Sequence, residues 1–148
     1  MVWTPRVTVA AIAERDYKFL CVQESIVGKQ VINQPAGHLE QGESLIEAVI
    51  RETLEETGWL VEPRFVVGIY LWQHPRKNLT FLRATFDCEC IQFENDAVID
   101  PDIDEVVWMS AQQLRASQQY LRSPLVLTCV EDYLKGKRFS LDVFNSVA

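Results

Sequence analysis

Residues Gly37–Trp59 read GHLEQGESLIEAVIRETLEETGW and carry the clearest helix signal in the chain. Ser44, followed three residues later by Glu47, matches the capping box that starts many helices. Gly58 is the residue type favoured directly after the last helical turn, because glycine readily adopts a left-handed conformation. We therefore predict a helix over Ser44–Thr57.

The predicted helix has two chemically different sides at roughly 100° of rotation per residue. One side is suited to packing on a sheet and is formed by Ile46, Val49, Ile50, Thr53 and Leu54. Glu52, Glu55 and Glu56 gather on the other side, because their spacing is i, i+3 and i+4. Mutual repulsion and the helix dipole both disfavour three carboxylates at this end, and a bound divalent cation would compensate. A solvated acidic face, with Arg51 paired to Glu47 or Glu55, is the alternative interpretation.

The spacing of the fixed positions in this stretch resembles the Nudix box of the Nudix hydrolase superfamily. The matching positions are Gly37, Glu43, the run Arg51–Thr57, Gly58 and Trp59. The segment Pro35–Glu40 is also similar to the loop that enters that box. Thr53 departs from the pattern, because the family usually has a larger aliphatic residue there. Thr53 lies on the apolar side, so we interpret it as a packing variation.

The resemblance implies an α/β (α+β) sandwich, in which a mixed β-sheet lies between helices. It also implies an enzyme that directs water onto a phosphorus of a pyrophosphate linked to another moiety. The implied cofactor is Mg²⁺, for which Mn²⁺ can substitute. Its implied ligands are the side chains of Glu52, Glu55 and Glu56 and the backbone carbonyl of Ala36.

Other site roles also follow from the resemblance. Glu52 and Glu55 are candidates for the general base, and Arg51 is expected to pair with Glu43 and lock the loop onto the helix. Gly37 and Gly58 are expected to serve backbone turns at the two ends of the box. The family often adds an acidic residue from a later loop. Asp102 is our first candidate for it, with Asp104 and Glu105 as alternatives.

Three further segments resemble a bacterial phosphatase branch of the superfamily: Asn33–Glu40, Phe81–Arg83 and Leu121–Val126. This similarity implies conversion of nucleoside di- and triphosphates to monophosphates with release of phosphate. It also implies acceptance of the pyrophosphate of the thiamine pyrimidine precursor. Nucleotide sugars or dinucleoside polyphosphates are alternative substrates. A nucleotide-sensing module without activity is a further alternative, which the intact set of three glutamates disfavours.

A phosphorylated substrate with a flat base requires cations and stacking surfaces. The candidate cations are Arg6, His74, Arg76, Lys77 and Arg83. Tyr70 and Trp72 alternate along one predicted strand and are the candidate platforms. A buried aromatic core and solvated loop charges are the alternative interpretations of these residues.

The rest of the chain alternates between strand-like and helix-like segments. Predicted strands are Thr4–Glu14 and Lys18–Gln23, which suggest a hairpin, then Val31–Gln34, Phe65–Trp72, Leu79–Ile91 and Glu105–Met109. Predicted loops are Ser25–Gln30, Gly37–Gly42 and Asn95–Asp104. Predicted helices are Ala111–Ala116, capped by Ser110, and a last helix from Ser123 to about Lys135.

The size and net charge of the chain limit how many domains it can form and which partners it can bind. The 148 residues, of which 48% are hydrophobic, suit one domain over residues 1–148 with a substantial core. A net charge of -7 argues against binding to nucleic-acid polymers, while a bound metal would still admit a small phosphorylated substrate. The four cysteines fit buried free thiols better than a zinc site. We see no signal peptide or membrane-length apolar run, and expect a cytoplasmic monomer or homodimer.

Overall fold

The computed structural model describes residues 2–147, and within them the chain forms eight strands and three α-helices. The strands are β1 (Arg6–Ile12), β2 (Glu14–Arg15), β3 (Lys18–Ile26), β4 (Lys29–Asn33), β5 (Ala36–His38), β6 (Trp59–Gln73), β7 (Thr80–Phe93) and β8 (Ile103–Ser110). The helices are α1 (Leu45–Thr57), α2 (Ala111–Ala116) and α3 (Pro124–Leu134), with short 3₁₀ turns at Gln118–Tyr120 and Leu141–Val143.

The strands form two four-stranded sheets. The first has the order β5-β1-β7-β6 and is mixed, because β1 runs parallel to β7 while the other two pairings are antiparallel. In the second sheet β3 pairs antiparallel with β2, β4 and β8. Helix α1 covers one face of the mixed sheet, where Val49 packs with Phe86. Helix α3 covers the other face, where Cys129 packs with Val67. This architecture confirms the predicted sandwich.

The predicted hairpin between the first two long strands is confirmed only at its tip. Strand β1 lies inside the mixed sheet between β5 and β7, and only Glu14 and Arg15 pair with β3. The reason is burial on both faces: Val9 through Ala13 are each at most 1% exposed. A continuous apolar run of this kind is typical of an interior strand, and the pattern does not reveal which partner the strand takes.

Several predicted boundaries also differ from the structure. Strand β3 continues to Ile26 and β4 starts at Lys29, so only Val27 and Gly28 of the predicted loop Ser25–Gln30 lie outside a strand. Strand β6 starts at Trp59, six residues before the predicted start at Phe65, and includes Pro63. An edge strand tolerates proline, and the register of β6 against β7 shifts at Pro63. The predicted loop Gly37–Gly42 begins in strand β5 and becomes a loop only after His38.

The main helix is confirmed in detail. The Ser44 hydroxyl accepts a hydrogen bond from the Glu47 backbone N–H at 3.0 Å, and the Glu47 side chain accepts one from the Ser44 N–H at 2.9 Å. Gly58 ends the helix with φ of 80°. Thr53 is fully buried, and its hydroxyl donates to the Val49 carbonyl at 2.7 Å. The departure at Thr53 is therefore a packing feature, as predicted.

All four cysteines are buried and unbonded to one another, as expected of free thiols. Cys88 and Cys90 line the same face of β7 and pack in the core beneath α1. Burial raises the pKa of Cys88 well above its usual value, so its thiol stays protonated. Among residues 2–147, no helix has the length and apolar character of a membrane span.

Candidate active site

The C-terminal half of α1 lies against the outer edge of β5. The Glu56 carboxylate accepts a hydrogen bond of 3.0 Å from the Ala36 backbone N–H. Pro35 and Leu39 make backbone hydrogen bonds to β1, so the intervening Ala36 turns its backbone polar groups toward the helix. The structure thus brings together two predicted ligand residues, Ala36 and Glu56, that are 20 positions apart.

Gly37 provides the space for a second carboxylate. A Cβ atom built at Gly37 would lie 2.1 Å from the Cδ atom of Glu52, which is far inside van der Waals contact. Gly37 is in an extended strand, so the predicted turn at this residue is wrong. Its missing side chain is needed because the Glu52 carboxylate lies directly on β5. The predicted turn at Gly58 is confirmed by its left-handed conformation.

Arg51 joins the entering loop to the helix as predicted. Its guanidinium contacts both carboxylate oxygens of Glu43, at 2.6 and 2.9 Å, and donates to the His38 carbonyl at 3.1 Å. The hydrogen bonds from Arg51 lower the pKa of Glu43, and those to Glu43 raise the pKa of Arg51. This two-pronged contact fixes the loop between β5 and α1.

The remaining terminal nitrogen of Arg51 contacts three further carboxylates. Nη1 lies 2.9 Å from Glu52, 3.3 Å from Glu55 and 3.1 Å from Glu40. No role was predicted for Glu40, because its contact with Arg51 depends on how the loop after β5 folds. Within the described chain, no three His, Cys, Asp or Glu side chains are arranged as a metal-binding group. Arg51 and the Ala36 N–H hold the carboxylates instead.

The three glutamates of α1 differ in exposure. Glu56 is only 6% exposed, Glu52 is half-buried and Glu55 is exposed. Burial raises the pKa of Glu56 to about 9, the hydrogen bond from Ala36 opposes this rise, and the nearby charges of Glu52 and Glu24 add to it. Burial also raises the pKa of Glu52. Acidic side chains that are buried close to one another suit a hard divalent cation, because such a cation would offset both burial and repulsion.

The loop before β8 brings further acids to the end of α1. The Asp100 N–H donates to the Glu55 carbonyl at 2.8 Å, and the negative charge of Asp100 contributes to the raised pKa of Glu56. Asp102 is exposed, and its N–H donates to the Asp100 carboxylate at 2.9 Å. Asp100 was not among the predicted residues, because the sequence alone does not show which acid of this loop contacts α1. The metal role of Asp102 stays a prediction.

Arg83, a predicted substrate residue, is buried on the α3 face of the mixed sheet. It is 5% exposed and donates to Gln34 at 3.2 Å and to Asn33 at 3.3 Å. Gln34 in turn donates to the Val126 carbonyl of α3 at 2.6 Å. Burial lowers the pKa of Arg83, and no carboxylate in residues 2–147 forms an ion pair with it. Arg83 thus supports the segment that leads to β5, and its contact with substrate stays a prediction.

The other predicted substrate residues separate into three groups. Trp72 and His74 line a groove of about 630 Å³ between the end of β6 and α3. Arg6 is exposed at the start of β1, and the loop cations Arg76 and Lys77 are also exposed. Tyr70 is a packing residue instead of a platform: it packs with the core beneath α3, and its hydroxyl donates to Asp132 at 2.8 Å.

Comparison with known proteins agrees with this geometry. A family model described as the NUDIX domain matches residues 3–127. The Phosphatase NudJ of Shigella boydii is 43% identical over 142 residues, covering 95% of this chain and 91% of that protein. The Phosphatase NudJ of Escherichia coli K12 is 41% identical over 141 residues with the same coverage. A solved NUDIX hydrolase from Nitrosomonas europaea is 45% identical, with a TM-score of 0.94 over 97% of this chain and 98% of that one.

The family model spans most of the chain, and the relatives share its sequence and fold at nearly full length. The resemblance inferred from the sequence is thereby confirmed, and the chain belongs to the Nudix hydrolase family.

Proposed function

We propose that this protein is a Mg²⁺-dependent hydrolase that converts nucleoside di- and triphosphates to monophosphates with release of phosphate. The proposal is supported by relatives named Phosphatase NudJ at 41–43% identity. The observation that carries it is the buried Glu56 carboxylate at the Ala36 N–H, beside the Glu52 carboxylate that lies on Gly37. These contacts bring oxygen ligands together at one end of α1.

The proposed ligands are the carboxylates of Glu52, Glu55 and Glu56 and the backbone carbonyl of Ala36. Asp102 is the predicted further acid, and Asp100 is nearer to α1 through its hydrogen bond to Glu55. An all-oxygen set suits Mg²⁺ and also Mn²⁺. When bound, the ion neutralises phosphate oxygens and acidifies a coordinated water.

The protein's own residues supply the base and hold its position. Glu52 is a candidate base, because its half-buried carboxylate belongs to the proposed site and can accept a proton from the attacking water. Glu55 is the alternative base, since it is exposed and one helical turn away. Arg51 contacts both carboxylates and the entering loop, so it acts as the positioning residue of the site.

The finer substrate assignment rests on the phosphatase-like segments around Asn33–Glu40, Phe81–Arg83 and Leu121–Val126. We propose GDP or another nucleoside diphosphate as a substrate, and the pyrophosphate of the thiamine pyrimidine precursor as a second one. A terminal phosphoryl group can be neutralised by metal and attacked by water as an internal one can. Nucleotide sugars and dinucleoside polyphosphates carry a second moiety, and the resemblance in these three segments gives no reason to expect a binding site for it.

The test is a hydrolysis panel measured with Mg²⁺, with Mn²⁺ and after exhaustive chelation. The panel holds nucleoside di- and triphosphates, a nucleotide sugar, a dinucleoside polyphosphate and the thiamine pyrimidine pyrophosphate. We expect GDP to exceed the nucleotide sugar and the dinucleoside polyphosphate by about ten-fold or more in kcat/KM, with no activity after chelation. The opposite preference would reject the substrate assignment alone. Full activity without metal, or none on any member, would reject the proposed function.

A further inference from the structure

A groove of about 630 Å³ lies between the end of β6 and α3 and has no role in the preceding mechanism. One wall is formed by Trp72 and His74 at the end of β6. The opposite wall is formed by the segment 121–124 and by Leu127 and Lys135 of the α3 region. Two carboxylates also line this wall, and both already have partners: Glu131 pairs with Arg115, and Asp132 accepts a hydrogen bond from Tyr70. The volume is within the range of pockets that enclose one small organic ligand, which typically hold about 300–1,000 Å³.

The first wall is a supported aromatic surface. Trp72 stacks on Phe81 with 5.6 Å between ring centroids, so one of its faces is held by the sheet. The His74 ring lies 5.2 Å from the Trp72 ring. His74 Nδ1 accepts hydrogen bonds from the backbone N–H groups of Arg76 and Lys77, both at 3.1 Å, which leaves the proton of a neutral ring on Nε2. The wall thus combines a flat platform with a polar donor.

Arg122 stands where the groove meets the acidic region. Its side chain lines the groove, and its Nη1 lies 3.3 Å from Glu24. In the antiparallel pairing of β3 with β8, Glu24 lies opposite Ile103. Ile103 follows the loop that contains Asp100, and the Asp100 N–H donates a hydrogen bond to the end of α1. A carboxylate is therefore the resting partner of Arg122 on the side that faces the proposed metal site.

The backbone between Ile32 and Ala36 limits the distance between the groove and the proposed metal site. The Arg122 N–H donates to the Ile32 carbonyl at 2.8 Å, and Ala36 follows four residues later. Four residues of fully extended chain span roughly 13 Å, and because the chain bends at Pro35 the distance here is at most this value. That span is suited to a nucleoside 5′-diphosphate whose base lies in the groove and whose terminal phosphate reaches the ion at the proposed metal site.

We propose that the groove binds the nucleoside of the substrate, with the base on Trp72, and that Arg122 exchanges Glu24 for the phosphate next to the nucleoside. The inference rests on the proposed function and adds where the substrate lies. The Arg122 side chain is 48% exposed while that of Glu24 is 17% exposed, so the guanidinium is the member of the pair that can turn toward a ligand in the groove. Arginine also binds phosphate through two parallel hydrogen bonds. On a chain of net charge -7, such a cation adds to the bound metal in attracting a polyanion.

The test compares Trp72→Ala and Arg122→Gln with the conservative variants Trp72→Phe and Arg122→Lys. Arg64→Gln is the matched control, because Arg64 is a half-exposed arginine paired with Glu89 elsewhere on the sheet. GDP hydrolysis gives kcat and KM, and calorimetry without metal gives the Kd of GMP and of ribose 5-phosphate. Circular dichroism confirms that each variant is folded.

We expect Trp72→Ala and Arg122→Gln each to raise the KM of GDP and the Kd of GMP about ten-fold, with kcat within about three-fold of the unmodified protein. Trp72→Phe and Arg122→Lys should recover part of the loss, and Arg64→Gln should change nothing. Ribose 5-phosphate should lose affinity only in Arg122→Gln, because it lacks the base.

Two results would overturn the inference. One is an unmodified protein that does not bind GMP, and the other is folded Trp72→Ala and Arg122→Gln variants with unchanged Kd and KM. If both variants hydrolyse GDP normally, the inference fails while the proposed function stands. If the unmodified protein hydrolyses no nucleotide yet binds GMP through Trp72 and Arg122, the proposed function fails and the groove assignment stands.

Discussion

The backbone N–H of Ala36 donates a 3.0 Å hydrogen bond to the buried carboxylate of Glu56, which joins the edge strand β5 to helix α1. This contact stabilises the charged form of Glu56, yet burial and neighbouring acids still raise its pKa to about 9. A carboxylate in such a place is electrostatically unfavourable in the absence of a cation. The relationship between these two residues therefore underlies the predictions on metal, pH and turnover.

Replacing Glu55 or Glu56 by glutamine should lower turnover by about 100-fold or more while the fold persists. The amide keeps the shape of the side chain and loses the negative charge that a metal ligand requires. Glu62→Gln is the control, because Glu62 is exposed on β6. The measurement is kcat for GDP at saturating Mg²⁺, together with the melting temperature. Normal turnover in both variants would contradict the metal-site assignment.

The stability of the metal-free protein should decrease as pH rises from about 4.5 to about 9. Burial raises the pKa of Glu56 from 4.5 to about 9, so in this window the folded protein keeps a proton that the unfolded chain has released. The contribution of this proton is full below the unfolded pKa and is lost as pH rises through the folded one.

Denaturant unfolding at pH 6 and pH 8.5 in EDTA measures this effect, and Glu56→Gln isolates it from Glu52, whose pKa is also raised. We expect the variant to lose less stability than the unmodified protein over the interval, and added Mg²⁺ to reverse the loss. Equal pH dependence in both proteins would show that Glu56 is not the titrating group.

Gly37→Ala should destabilise the protein through Glu52 specifically. The new methyl group would lie about 2.1 Å from the Glu52 carboxylate carbon, so the flexible end of Glu52 must move away from β5, which we expect to cost about 1 kcal/mol. In a Glu52→Ala background the same change should have a much smaller effect, because the obstructing side chain is gone. A double-mutant cycle on the free energy of unfolding measures the difference. Additive effects would argue against the close approach.

Arg51→Gln should weaken the junction between β5 and α1. Its hydrogen bonds to Glu43 and to the His38 carbonyl are charge-assisted, and we expect a loss of about 1–2 kcal/mol of stability. Arg115→Gln is the control, since that arginine forms an exposed pair with Glu131 and should have little effect. Hydrogen exchange should localise the Arg51 effect to residues 36–44. An unchanged rate in that segment would contradict the locking role.

Local sequence determined the helix and the chemistry that it carries. The capping residues Ser44 and Glu47 and the left-handed Gly58 fixed both ends of α1, because capping depends on residues within one turn. The i, i+3, i+4 spacing placed Glu52, Glu55 and Glu56 together for the same reason. The pair of Arg51 with Glu43 was also predictable from the family pattern, and the sandwich followed from it.

Tertiary structure alone decided how exposed each glutamate is and what lies beside it. The helical wheel put Glu56 opposite the apolar side, yet β5 covers it, because the segment around Ala36 returns along the helix. The same packing gave Gly37 its role and brought Glu40 to Arg51. Which strands pair, and which loop acid reaches α1, depend on contacts between residues far apart in the chain. Periodicity carries no information on such contacts, because it reports only which side of an element is buried.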